Sequence, residues 1–406
     1  MASVETPSPW SAFATVSFRW FAIVSLLFVA PIEPLTNLVI PWIGNTLLGV
    51  DGEISLQTTG SGDTMAEYIR LLLHVVLGLA GATVWTLLKG ARAHHSKLLD
   101  WFTFALRLAV ATAMIGYGMA KLVGGQFVTP DDMRLFQTFG DASPMGLLWT
   151  FMGHSKVYTA FTGIAELLGG ALLLSRRTAT LGALVVVGVM ANVVMLNFCY
   201  DVPVKLFSTR LLVWALFLAA LDGRRLFAVF TNSGRCEPRT MNPLFERPKL
   251  HLAGQVLKAL MGLTLVLAIV IGPMFMRNGD AEKGTTGEIQ ASYEVKSFER
   301  DGEPVPPLVT DDERWHRVVI ATWDRFVVFA ASGKRSFYQA KLEEDTLTLT
   351  TRRDDEEVVL EFEVVRTEDG LRLVGEATEV ELEAYTPEFL LRDRGFHWVQ
   401  PFPYNR

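Results

Sequence analysis

Long apolar runs fill the first two-thirds of the chain, and short alternating runs fill the last third. Seven of the long runs reach membrane-spanning length: Phe13–Ala30, Tyr68–Leu88, Trp101–Leu122, Val157–Leu174, Ala179–Phe198, Leu206–Leu221 and Leu252–Met276. A helix is the natural state of such a run in lipid, because it satisfies its own backbone hydrogen bonds. The first run breaks at Pro31 and Pro34. Arg19 sits against its apolar centre and no small-x-small cleavage site follows, so it reads as an uncleaved anchor and not as a signal peptide.

After Met276 the pattern changes. Arg277–Gly287 is a polar linker, and from Glu288 the chain reads as strands: Ala291–Val295, Val318–Trp323, Phe326–Phe329, Thr346–Thr351, Val358–Val365 and Leu371–Leu382. These are short, alternating and rich in β-branched or aromatic residues. Turn signals at Ser332-Gly333-Lys334, Asp354-Asp355 and Glu368-Asp369-Gly370 lie between them. Eight or nine antiparallel strands in this span predict a small barrel or sandwich that folds by itself. The expected fold class is therefore a membrane all-α helical bundle of seven transmembrane helices plus a C-terminal antiparallel β barrel or sandwich. Its expected organisation is 1–100 for the first two spans and their loop, 101–230 for a four-helix membrane core, 231–276 for a loop and the last span, and 277–406 for the linker and the β domain.

Composition sharpens this. Of 406 residues 50% are hydrophobic and only 20% charged, which excludes an ordinary soluble protein. The net charge of −6 is unevenly placed, and no basic stripe with interleaved aromatics exists, so no nucleic-acid partner is expected. Lys89, Arg92 and Lys97, then Arg176 and Arg177, then Arg224, Arg225, Arg235, Arg239, Arg247 and Lys249 mark alternate loops, whereas Ile32–Glu67 holds no lysine or arginine. The positive-inside rule then predicts a cytoplasmic N-terminus and a periplasmic β domain. Cys199 and Cys236 flank one predicted helix and are not expected to pair.

The candidate chemistry is a set of ionisable and amide residues in or at the ends of spans: Tyr117, Lys121, Glu166, Asn192, Asn197, Asp201 and Lys205. Charge at membrane depth costs a few kcal/mol or more, so it is kept with a partner or a job. Tyr117 and Lys121 share a helix face, Glu166 lies near mid-membrane, and Gly169-Gly170 after it admits a close neighbour. Lys205 opens a span against the helix dipole and calls for a carboxylate, with Asp201 and Glu166 the nearest candidates. One reading is purely structural, an ion pair that fixes helix register. The other is a site for a proton or a polar, quinone-like ligand.

Three features carry bland readings. His74, the one histidine well inside a span, reads as a packing residue, and nothing suggests a haem or a metal held by this chain. Gly60-Ser61-Gly62-Asp63-Thr64 reads as a turn whose Asp63 or Thr64 caps the second span. The aromatic end around His397 and Trp398 reads as a last strand closing the β core, with a ligand-gripping role for these two residues as the alternative.

Gly116-Tyr117-Gly118-Met119-Ala120-Lys121-Leu122, Phe161-Thr162-Gly163-Ile164-Ala165-Glu166-Leu167-Leu168-Gly169-Gly170 and Ala191-Asn192-Val193-Val194-Met195-Leu196-Asn197 resemble the DoxX-like integral membrane proteins. The fuller stretch Ser143–Arg177 and Tyr200–Ser208 are similar to the larger bacterial members. The resemblance covers residues 101–230 and implies a four-helix core in a bacterial inner membrane. Some members of that family are subunits of thiosulfate:quinone oxidoreductases or associate with membrane oxidoreductases. The resemblance thus implies an accessory or quinone-interacting component, with the lipid bilayer and a membrane or periplasmic oxidoreductase as partners. Whether the chain is itself an enzyme stays open. A transporter or lipophilic-ligand binding protein using the β domain, and a structural partner of another membrane protein, are the alternatives.

Overall fold

A computed structural model describes residues 10–57, 62–93, 95–123, 125–234, 252, 254, 256, 284–353 and 356–405. Most of the seventh apolar run and of the linker, with His94, Cys236, Gly60, Ser61, Asp354 and Asp355, lie outside the described residues. The chain divides into two compact units. One comprises residues 1–122 and 160–268, the other residues 123–159 and 269–406.

The first unit is helical. Its long helices are α1 (Ala12–Val29), α4 (Met65–Lys89), α5 (Ser96–Leu122), α8 (Lys156–Leu174) and α9 (Ala179–Cys199). All five are long and apolar enough to cross a membrane, and α10 (Lys205–Ala220) with α11 (Gly223–Phe230) forms a sixth candidate bent by 75°. The protein is thus a multi-pass membrane protein. Short turns α2 (Glu33–Asn37) and α3 (Ile40–Trp42) fold the α1–α4 connection over a small core of Ile40, Ile54, Ala66 and Ile69. Helix starts follow local chemistry: Ser11 accepts from the Ala14 N–H and Thr64 from the Glu67 N–H. The core of the unit is Val110, Met114, Leu173, Val186, Leu211 and Trp214 with their neighbours. Leu72, Val76, Leu79 and Leu87 stay exposed at helical spacing along α4, as a lipid-facing stripe does.

The second unit holds a closed antiparallel barrel. Its eight strands are β1 (Ser292–Arg300), β3 (Trp315–Ala321), β4 (Arg325–Ala330), β5 (Arg335–Glu343), β6 (Thr346–Arg353), β7 (Glu356–Arg366), β8 (Gly370–Val374) and β9 (Thr378–Tyr385). The two-residue β2 (Glu303–Pro304) rides on the end of β1. Each strand pairs with the next, and β1–β9 pairing from Ser292↔Tyr385 to Arg300↔Thr378 closes the ring. Alternation sends Val318, Ile320, Phe326, Val328, Leu347, Leu349, Phe362, Leu373 and Leu382 inward, where they fill the interior around Trp315. Two expectations change here. Leu371–Leu382 is two strands, because Gly375 donates its N–H to the Thr378 carbonyl and turns the chain. The aromatic end is no strand either: Phe396, Trp398 and Phe402 lie exposed beyond β9, whose edge is already taken by β1.

Residues 123–159 belong to this second unit by their contacts, although they fall within the 101–230 stretch read as membrane core. Short helix α6 (Asp132–Leu135) and helix α7 (Pro144–His154) lie here. Met133 and Phe136 cover Val319, Val327 and Phe329 on the outside of the barrel. The Phe136 ring stacks under the Arg317 guanidinium at 3.9 Å and meets Phe389 edge-on at 4.8 Å. Polar ties flank this contact: Asp132 accepts from Arg392 at 2.6 Å and from Ser292 at 2.7 Å, and Asp131 meets Arg325 at 3.4 Å.

Candidate functional site

Small residues decide where the buried charge can sit. A Cβ on Gly118 of α5 would lie 2.6 Å from the Gly163 carbonyl of α8, and one on Gly170 would lie 3.0 Å from the Ala111 carbonyl. Ala111 and Gly118 are seven residues apart, as are Gly163 and Gly170. The two helices therefore touch backbone to backbone along one seam. Lys121 and Glu166 each lie one turn past a glycine of that seam. Their side chains meet there: Lys121 Nζ donates to both Glu166 oxygens at 2.6 Å. Both residues are buried, at 8% and 2% exposure. Arg107, on the same helix, donates to the Leu173 and Leu174 carbonyls at 2.6 and 3.0 Å. It closes the C-terminus of α8, where a cation suits the helix dipole.

Aromatic rings continue the site. Lys121 Nζ stands 5.8 Å from the Tyr117 ring, and Tyr117 lies 5.9 Å from Phe207 of α10. The Arg210 guanidinium lies 4.7 Å over Phe207 and 4.7 Å over Phe28. His74 meets the same Phe28 ring, centroid to centroid at 4.7 Å. A polar line thus runs Glu166, Lys121, Tyr117, Arg210, His74, with Phe207 and Phe28 as spacers.

The remaining residues singled out from sequence divide differently. Asn197 is buried and donates to Ser208 Oγ at 2.9 Å, tying α9 to α10. Lys205 pairs with Asp201 at 2.9 Å and lies 3.8 Å from Asp63, not with Glu166. Asp201 is exposed at a positive φ of 50° in the α9–α10 turn. Asn192 is exposed on α9. So Tyr117, Lys121 and Glu166 come together inside the bundle, Asn197 is a structural bridge, and Asp201 with Lys205 forms a separate pair at the head of α10.

Asp63 has a larger role than the expected cap on α4, a place that Thr64 takes. Its carboxylate accepts the backbone N–H of Lys205 at 2.7 Å and of Leu206 at 2.9 Å, so it caps α10 across 142 residues of sequence. Arg19, buried in α1, donates to His95 at 3.1 Å and to Thr86 and the Gly90 carbonyl at 2.9 Å. It therefore anchors the α4–α5 connection, and its position inside an apolar run follows from this.

The second unit offers a different kind of surface. A groove of about 620 Å³ outside the barrel is lined by Phe139, Leu147, Phe151, Tyr158, Leu390 and Leu391, with Arg134 and His154 also in its wall.

No family model and no solved structure matches the chain. A curated relative does: the uncharacterised protein YwoB of Bacillus subtilis (strain 168), 40% identical over 128 residues, which are 30% of this chain and 79% of YwoB. The chain belongs to the family of YwoB. Most of this chain lies outside the part matched to YwoB. The name brings no activity with it, so the chemistry of the site rests on its residues.

Two residues with structural roles, one on the polar line and one at the head of α10, go unmarked in the sequence. Arg210 falls inside the apolar run Leu206–Leu221, where an arginine at the sixth position of the helix is the same kind of signal as Lys121. Asp63 reads in the sequence as a local cap, because nothing in a sequence reports a contact 142 residues away.

Proposed function

We propose that this protein is an accessory, quinone-interacting component of a bacterial inner-membrane oxidoreductase system, with the Lys121–Glu166 pair as its working centre. The observation that carries the reading is that pair: a cation and a carboxylate, both buried in membrane helices and held at 2.6 Å by a glycine seam. A pair that only joined helices would be expendable, since apolar residues of equal volume pack as well or better. A quinone offers two carbonyl oxygens and a flat apolar ring. The Lys121 ammonium can donate to such an oxygen, Tyr117 and Phe207 offer ring faces, and Glu166 can pass the proton that reduction of the ring requires. The electrons come from the partner oxidoreductase, and the chain itself carries no haem or metal in this account. The resemblance of the α5, α8 and α9 segments to DoxX-like proteins supports the same reading.

The proposed orientation has a cytoplasmic N-terminus and a periplasmic barrel. Lys89, Arg92, Arg176, Arg177, Arg224 and Arg225 mark one set of connections, and the α1–α4 connection lacks basic residues. The barrel packs on residues 123–159, which join α5 to α8 along the chain. A periplasmic barrel calls for an odd number of crossings between α10 and the barrel, and the seventh span expected from the sequence at Leu252–Met276 would make that number odd.

The groove of the second unit favours a second reading, capture of an apolar ligand by the periplasmic domain. The barrel interior is filled by its own side chains, so such a ligand would lie outside it.

The test is quinone retention. The intact protein, purified in mild detergent, is extracted and its quinone quantified against protein. Wild type is expected to retain quinone, and Lys121→Met to lose most of it. Quinone-free wild type, or equal retention by the variant, contradicts the proposal.

A further inference from the structure

Most of the buried basic side chains inside the helical unit are supplied with acceptors. Arg19 donates to Thr86 and the Gly90 carbonyl, Arg70 to Asn37 at 2.6 Å and to Glu67, Arg107 to the α8 carbonyls, and Lys121 to Glu166. Arg210 instead lies among the rings of Phe28, Phe207 and Trp214, at 4.7, 4.7 and 5.4 Å. Its buried Nε meets no acceptor. His74, against the same Phe28 ring, is 2% exposed, and neither of its ring nitrogens has a partner.

We infer that Arg210 and His74 form a binding site for an anionic oxygen group, a carboxylate or a phosphate, separate from the Lys121–Glu166 pair. A guanidinium cannot shed its charge. Ring faces stabilise it by roughly 0.5–2 kcal/mol, but they accept no N–H in the way an oxygen does. Each buried donor or acceptor left unmade costs about 1–3 kcal/mol. An anionic oxygen pair answers the donors among these groups together. It matches the planar fork of Arg210 and takes an N–H from the imidazole of His74. The three rings lie 4.7, 4.7 and 5.4 Å from the guanidinium carbon and offer it no oxygen acceptor. The inference does not rest on quinone binding, since Lys121 and Glu166 satisfy each other.

The same chemistry has two sources, a lipid headgroup or a free anion. Full-length protein in mild detergent is melted against inorganic phosphate at constant ionic strength, and against phosphatidylglycerol with phosphatidylcholine as control. One series is expected to raise the melting temperature in a saturable way, and the series that does so identifies the source. Arg210→Gln should raise the half-saturating concentration at least tenfold, and His74→Phe several-fold. If Arg210→Gln does not fold, Arg210→Lys keeps a cation over the rings but loses the fork, and it too should bind more weakly. In wild type carrying ¹⁵N-labelled histidine, the His74 resonances should shift with the same midpoint as the melting temperature. The inference is overturned if neither series raises the melting temperature, if Arg210→Gln and Arg210→Lys keep the wild-type midpoint, or if His74 does not shift.

Discussion

Glu166 gives both carboxylate oxygens to one ammonium. Removing that carboxylate by Glu166→Gln leaves the Lys121 charge uncompensated inside the bundle. The expected cost is about 3–5 kcal/mol of stability, read as the shift in reversible unfolding in mixed micelles. A second residue-scale prediction concerns the barrel. Partial burial pushes the Asp324 carboxyl up, but the N–H groups of Thr286 and Thr285, at 2.8 and 3.1 Å, and the Thr286 hydroxyl outweigh it and hold it below the ordinary aspartate range. A depressed folded value means that Asp324 stabilises the fold above its unfolded value of about 3.9 and loses that contribution as the pH falls further. The urea midpoint of the barrel should drop between pH 6 and pH 3 in wild type, and by less in Asp324→Asn. Equal drops would remove Asp324 from the account. The buried Tyr293 hydroxyl, pushed up to about 12 by burial, stays neutral throughout this range and keeps donating to the Ile289 carbonyl at 2.7 Å.

At the scale of elements, the long helices were legible because an apolar run of spanning length has few alternatives, and most strands because alternation matches a half-buried sheet. What could not be read was contact across sequence. Residues 123–159 carry their apolar groups in short pieces, so no periodicity announced that Met133 and Phe136 would cover the barrel. The C-terminal aromatics misled for the opposite reason. Their density suggested a core strand, but the ring is closed by β1 on β9 and leaves them exposed. The seam of Gly118, Gly163 and Gly170 was half legible: Gly169-Gly170 signalled a close neighbour without saying that Gly170 meets α5 while Gly169 meets α9. The cover on the barrel is testable. Phe136→Ala bares Val319, Val327 and Phe329 and removes the ring beneath Arg317. Phe136 is only half-buried, so the loss should be about 2–3 kcal/mol, below that of a fully buried phenylalanine. It should appear as faster hydrogen exchange in β3 and β4, and unchanged exchange there would show the contact to be dispensable.

For the whole molecule, parity links the two units through the chain alone. A reporter active only in the periplasm, fused after Arg406, should be active, and an inactive fusion would reverse the proposed topology. The claim that the Lys121–Glu166 pair works, and does not merely join α5 to α8, is tested most directly by removing both charges at once. The variant Lys121→Met with Glu166→Leu leaves no orphaned charge and fills similar volume, so its stability should stay within about 1–2 kcal/mol of wild type or exceed it. Its melting temperature and its ability to complement a strain lacking the native protein are measured side by side. The account predicts a folded, inserted variant that fails to complement. A variant that is stable and complements as wild type does would contradict it.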